Sequence, residues 1–464
     1  MRQKYNVFTF VLLVAIVLSC DNPAATEETA MAEESIAETS IQSIPTGKRY
    51  VVLLDATIAT PLILDPENDC DNIAILGNKR AGVMDAISRF VDNLSKEKGI
   101  RLDVAPEQRF ADIAVGFVTV LEDDKVIVLK ETPHVASVTE DVVIQGRPIQ
   151  QGRPIQQGRP IQQDSLGRPE DWGLSSAEGM SLTSCAVARA GGSAVANNME
   201  SKIWIVDTGI AKDHPDLNIV KDLGRNFVNK DDSLNADDDN GHGTAVAGIA
   251  AAKPIEWNKY TIRAGVSAGA PVVPIKVLDS QGIGYWTNII FALDYISKTS
   301  CKNDIINLSI GDYPMFDCDN SIEGLKDILK NLSEKHFIVI ASGNNGGDAN
   351  ESLPGCINDR KWKKKTMFTV AAANCNKTCA EYSNFGTVVD YVAVGTNVFS
   401  TSLKIKIDSA NESWTYRVVS GTSMSAAVIS GVIHLRGEKP KNGDSICCGN
   451  ECFEGNYRFG KWRK

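Results

Sequence analysis

An aspartate, a histidine and a serine, each set beside glycine at the edge of an apolar run, are the residues through which this chain could do chemistry. IVDTGI (205–210) places Asp207 at the end of such a run, NGHGTAVAGIAAA (240–252) places His242 between two glycines, and SGTSMSAAVISGV (420–432) places Ser423 before a run of small residues. A serine hydroxyl is a poor nucleophile until a base takes its proton, and imidazole suits neutral pH best. The imidazole in turn needs a carboxylate to fix its tautomer and stabilise the imidazolium. Three such groups brought together predict nucleophilic acyl transfer. Taken singly, Asp207 could cap a helix and His242 could be a buried polar group. IVIASGNNGGD (338–348) adds Asn344, an amide in a Gly-rich turn, and NLSIG (307–311) adds a further strand end. Five motifs in one order, each at a strand end or helix start, outweigh the single readings.

The elements that must position these groups are legible from residue 171 onward. KIWIVD (202–207), VVPIKVL (272–278), DIINLS (304–309), HFIVIA (336–341) and TMFTVAA (366–372) are short continuous apolar runs, the pattern of strands buried on both faces. Helical stretches such as 286–299 and 321–334 lie between them. Alternation of this kind predicts an α/β fold, a doubly wound parallel sheet with right-handed crossovers, in which functional residues collect at the carboxyl ends of strands.

The three motifs, in the order Asp, His, Ser, resemble the triad segments of the subtilisin family of serine peptidases, whose order that is. The resemblance implies a subtilisin-like fold and peptide-bond hydrolysis through an acyl-enzyme, with Asn344 as side-chain donor of the oxyanion hole. It implies one wall of the S1 cleft at Ser309 and Gly311, and the other at the Ala341–Asn345 turn, including Gly343. It implies a second binding edge at Gly282-Ile283-Gly284, with Trp286 and Ile289 near an apolar S4 pocket. An extended protein or peptide substrate would add as a strand between these edges. Ala427 stands where the family usually has proline, and Asp312 where glycine is common. An esterase would show a G-x-S-x-G elbow with Ser ahead of Asp and His, and this chain has neither. A binding protein on a dead peptidase scaffold would lack a catalytic group, and all are present. No cofactor is required. The acidic run Asp231–Asp239 could hold a structural calcium, as loops of this family often do, but its spacing is not that of an EF-hand and a solvated loop is the favoured reading.

Ahead of the catalytic region, residues 48–144 form a small α/β unit. KRYVVLL (48–54), 113–121 and 125–131 are expected strands, 82–99 a helix, and 133–141 an extended closing segment. Their order resembles the ferredoxin-like α+β propeptide of subtilisin-family peptidases, which implies an intramolecular inhibitor and a zymogen. QGRPIQ then occurs at 145, 151 and 157, and residues 145–170 read as an exposed linker carrying the maturation site.

Residues 1–19 read as a signal peptide: Arg2 and Lys4 precede an apolar stretch, Val7–Leu18, too short to span a bilayer. Cleavage before Cys20 by ordinary signal peptidase is one reading. VLSC (17–20) also resembles a bacterial lipobox, in which Cys20 is lipidated, and residues 20–47, acidic and without Lys or Arg before Lys48, suit a flexible tether. Eleven cysteines without zinc-finger spacing favour disulfides of unreadable connectivity in an oxidising compartment. The expected location is extracytoplasmic: secreted, or lipid-anchored at a membrane facing the cell surface or periplasm. A formal net charge of −10 argues against a nucleic-acid partner.

Overall fold

Tyr50, Val52 and Leu54 belong to one apolar core, and Val51 and Leu53 to another. That is the two-residue period of a strand buried on both faces. The strand, β1 (Lys48–Leu54), lies in a computed structural model that describes residues 47–62, 73–145, 174–176, 181–257, 260–312, 318, 323–358, 366–406, 412–446 and 457–461. It is followed by α1 (Ile73–Glu97), β2 (Arg109–Phe110), β3 (Gly116–Leu121), α2 (Asp123–Lys130) and β4 (Val135–Glu140). The strands form an antiparallel sheet of order β2-β3-β1-β4. One face packs Tyr50, Val52 and Leu54 against Val83, Ile87, Val91 and Leu94 of α1 and Leu129 of α2.

Two expectations for this N-terminal module are corrected. The segment 125–131, read as a strand from its Val and Ile, lies in α2. Asp123 and Asp124 stand in the first turn of that helix and Lys130 in the last, each favoured by the helix dipole. Only Leu129 of the run is buried, while Ile127 is exposed, so no sheet face claims the β-branched residues. Helix α1 also begins at Ile73, well before the expected residue 82.

A last module strand, β5 (Val143–Gln145), leaves the module sheet and pairs with the catalytic body. That body is built from β6 (Ile203–Asp207), α3 (His242–Ala251), β7 (Pro271–Lys276), β8 (Ile283–Tyr285), α4 (Trp286–Thr299), β9 (Ile305–Leu308), β10 (Gly311–Asp312), α5 (Glu323–Ser333), β11 (Phe337–Ala341), β12 (Met367–Ala373) and β13 (Val389–Val394). It continues with a hairpin of β14 (Val398–Lys406) and β15 (Glu412–Val419), then α6 (Thr422–Arg436), β16 (Lys441–Ile446) and β17 (Tyr457–Lys461). The main sheet runs β7-β6-β9-β11-β12-β13-β17-β16, with all neighbours parallel except the closing β17–β16 pair, and two short strands at 218–219 and 225–226 extend it beyond β7. This is the expected doubly wound α/β sheet.

Its two faces have different covers. Ile203 and Ile205 of β6 share a core with the small residues of α3 and α6. Trp204 and Val206 share the other with α4, α5 and the Val51/Leu53 face of the module. Residues 46–464 form one compact unit. Disulfides join Cys185 to Cys375 and Cys318 to Cys356, and Cys301 and Cys379 are disulfide-bonded as well. No helix among the described residues is long and apolar enough to cross a membrane. Residues 1–46, with the expected signal segment, Cys20 and most of the tether, lie outside the described residues, as does nearly all of the 145–170 linker.

Candidate active site

Asp207 is the last residue of β6 and His242 the first of α3, and both are buried. Their approach depends on Gly243, where a Cβ would collide with the Gly209 carbonyl and press on Asp207. Gly241 precedes the imidazole at φ 95°, a conformation that strains residues with a Cβ. His242 Nδ1 lies 2.7 Å from Asp207 Oδ1, which also accepts the Thr208 N–H at 2.7 Å. Among the described residues, His242 Nε2 has no hydrogen-bond partner, nor has Asp207 Oδ2.

Ser423 occupies the second position of α6, which packs against α3 through small residues. At Gly431 an added methyl would strike the Ala250 carbonyl and Val266. The Ser423 hydroxyl donates to the Ser309 carbonyl at 3.1 Å, and the Ser309 hydroxyl returns a bond to the Ser423 carbonyl at 3.0 Å. In this arrangement the serine is bonded to the β9–β10 link rather than to His242.

Asn344 sits in the turn after β11. Its Oδ1 accepts both the Thr422 N–H, at 2.8 Å, and the Thr422 hydroxyl, at 2.9 Å. Those bonds fix the amide so that its nitrogen, unbonded among the described residues, is the end left to donate. The first N–H groups of α6, including that of Ser423, have no carbonyl a turn earlier. Gly343, at φ 103°, leaves room for Asn384 and Ser352 where a Cβ would stand.

Around this corner the structure gathers the residues expected to bind substrate. Gly284 lies in β8 and Gly311 in β10, and β5 runs between the two strands, antiparallel to both. Ile144 is opposite Gly284 on one side and Asp312 on the other, and Gln145 is opposite Ile283 and Gly311. Gly282 turns the chain into β8 at φ 74°. Ile144 is buried in the same core as Trp286 and Ile289, and Ala341 closes β11 beside the Gly343 turn.

Charged residues that the sequence did not single out support the site. Asp238, in the acidic loop read as solvated or calcium-binding, is buried and bonded to protein donors. Asp239 pairs with Lys276 Nζ at 2.6 Å, and the same nitrogen donates to the carbonyls of Thr208 and Leu278. The signal available was the unusual acid density just ahead of His242. Among the described residues no group of three or more His, Cys, Asp or Glu is placed to hold a metal. His214 is buried under Trp414, ring centroids 4.7 Å apart, and burial depresses its pKa to about 4.

Comparison with known proteins bears on the same stretch. The profile of the Subtilase family matches residues 199–442. Thermitase of Thermoactinomyces vulgaris is 31% identical over 252 residues, covering 54% of this chain and 80% of that enzyme. The thermophilic serine proteinase of Bacillus sp. strain AK1 is 31% identical over 245 residues, 53% of this chain and 54% of its own. The intracellular serine protease of Paenibacillus polymyxa is 32% identical over 241 residues, 50% of this chain and 65% of its own. A solved cold-adapted subtilisin-like serine proteinase overlays with a TM-score of 0.39 at 22% identity, over 52% of this chain and 77% of that one.

Proposed function

The chain belongs to the subtilase family, and from that membership we propose that Asp207, His242 and Ser423 are the catalytic triad of a serine endopeptidase acting through an acyl-enzyme. The observation that carries this reading is the buried 2.7 Å contact between His242 Nδ1 and Asp207 Oδ1, with Nε2 left unbonded. A proton on Nδ1 directed at the carboxylate leaves the Nε2 lone pair as the base. In this reading the Ser423 hydroxyl, which donates to the Ser309 carbonyl in the structure, turns to that nitrogen for reaction. The oxygen then attacks the scissile carbonyl while the proton passes to His242. The tetrahedral oxyanion is received by the Asn344 amide nitrogen and the Ser423 N–H. The imidazolium next protonates the leaving amine as the C–N bond breaks, and water, deprotonated by the same base, hydrolyses the ester. Protein and peptide substrates would lie as β5 lies, paired to β8 and β10, with an apolar side chain in the place of Ile144.

The N-terminal module, in this proposal, is an inhibitory propeptide and the chain a zymogen. Support comes from β5, which lies between β8 and β10 and fills the slot a substrate strand needs. Maturation falls in the 145–170 linker, which after Gln145 lies outside the described residues. Export, with or without a lipid on Cys20, is part of the proposal and is supported by the disulfides, which need an oxidising compartment.

The test is the full chain beside its Ser423→Ala variant, followed by casein hydrolysis and by gel mobility. The variant should lose activity by about 10⁶-fold, the loss known for the serine of subtilisin, and should persist at full precursor size. Equal hydrolysis and equal processing in both chains would refute the triad assignment.

A further inference from the structure

Asp238 accepts five hydrogen bonds: from the Thr208 hydroxyl at 2.8 Å, the N–H groups of Asn240, Gly241 and Thr244 at 3.0, 2.8 and 2.9 Å, and the Thr244 hydroxyl at 2.6 Å. The Thr208 hydroxyl accepts in turn from the Gly243 N–H at 2.9 Å. One buried carboxylate thus ties the residue after Asp207 to the residues before and after His242. On the other side of the same turn stands Arg417 of β15. Its Nη2 donates to the Asn240 carbonyl at 3.3 Å and its Nε to the Ser402 hydroxyl at 2.9 Å. Its guanidinium fills the space that a side chain at Gly241 would take. The hairpin carrying Arg417 also grips the first turns of α3, where Thr401 and Ser400 donate to the carbonyls of Thr244 and Ala245 at 2.7 and 2.6 Å.

We propose that Asp238 and Arg417, opposite charges of which the first is buried and the second half-buried, flanking the Asn240–His242 turn, are positioning residues that set both the placement and the charge environment of the His242 imidazole. The proposal rests on the triad reading above. Burial pushes the Arg417 pKa down, and the charge of Asp238 opposes that. Among the described residues the other charges around this turn are already engaged: Asp207 by His242, Asp239 by Lys276, and Asp237 by Lys212. Removing either member of the pair therefore leaves an uncompensated charge near the imidazole, negative in one case and positive in the other. A purely structural role predicts no such difference in sign.

The experiment follows the His242 ring by NMR titration in the inert Ser423→Ala chain, alone and with Arg417→Met, Asp238→Asn or both. Arg417→Met should raise the His242 midpoint by about half a unit or more, because unopposed Asp238 favours the imidazolium, and Asp238→Asn should lower it by a similar amount. The double variant should return close to the starting value. Arg417→Lys should restore most of the Arg417→Met shift, which keeps the test decisive if Asp238→Asn does not fold. In the active chain, Arg417→Met should lower kcat by roughly 10–100-fold with KM little changed. Midpoints that do not move, or that move in the same direction in both single variants, would overturn the proposal even if Ser423→Ala abolishes hydrolysis. Activity retained by Ser423→Ala would instead overturn the triad reading and leave the titration to stand or fall by itself.

Discussion

Buried carboxylates organise two places in this molecule, and they do so differently. At the corner of Asp207 and His242, Asp238 takes all its donors from within the catalytic body. At the seam with the N-terminal module the donors and acceptors lie on opposite sides. Asp294 of α4 accepts the module's N–H groups of Ala111, Asp112 and Ile113 at 3.2, 2.8 and 3.4 Å, with Arg80 Nη2 at 3.1 Å. In exchange, Asp141 of the module accepts the Thr287 N–H at 2.9 Å and hydroxyl at 2.8 Å, capping the first turn of α4. A network closed within one body has no partner to lose. One shared across a seam can part as a unit, each side returning its polar groups to water, provided the chain between is cut. On the propeptide proposal, the corner stays closed while the seam parts.

The sharpest way to break that contrast is at the corner itself. Asp207→Asn should keep the fold and lower kcat by about 10⁴-fold, because the amide favours the wrong imidazole tautomer, an effect known from a serine protease triad; steady-state kinetics with an unchanged melting temperature checks it. Asn344→Leu removes the oxyanion donor, together with the acceptor of the two Thr422 bonds, and should lower kcat by about 10²–10³-fold, the range measured for the equivalent donor in subtilisin, with KM nearly constant. At the seam, Asp294→Ala should leave the kcat of the separated enzyme alone and weaken inhibition by added module, residues 46–145, by roughly 10–100-fold, since three module N–H groups lose their acceptor. Unchanged inhibition there would remove the distinction between the two regions.

The smallest effect concerns the loop behind the corner. The folded-state pKa of His214, about 4, lies below its ordinary value of 6.5 because burial disfavours the charged ring. The unfolded chain therefore binds a proton that the folded chain refuses, so stability is full above pH 6.5 and falls as pH drops from there toward 4. The loss should be on the order of 3 kcal/mol. Thermal melts of the Ser423→Ala chain across that window should show the decline, and His214→Phe should flatten it.

Much of the catalytic corner was legible because its parts are local. An apolar run ending in Asp207, a helix opening at His242 and a small-residue helix opening at Ser423 can each be read from a dozen residues, and the parallel sheet follows from their alternation. What escaped were positions whose meaning depends on distant partners. Asp238 looks like one acid among several until Thr208 and Thr244 close on it. Arg417 has no local signature, since its role lies against Gly241, far along the chain. The strand β5 was read as the end of a module beside a linker, because its ladder partners are more than a hundred residues away. The helix at Asp123–Lys130 misled for the opposite reason: Val126, Ile127 and Val128 prefer a strand, but the charges at its two ends and the packing of Leu129 favour the helix.

The strand β5 has one more consequence. On the propeptide proposal, withdrawal of β5 leaves β8 and β10 facing each other across an opening one chain wide, each offering unpaired amides and carbonyls along its rim. Neither rim can reach the other, so water must stand in for the missing ribbon until another backbone arrives. Any polypeptide that can straighten over a few residues meets the same welcome, whatever its side chains. Choice among guests is then left to the few recesses beyond the rims, the one now filled by Ile144 first among them.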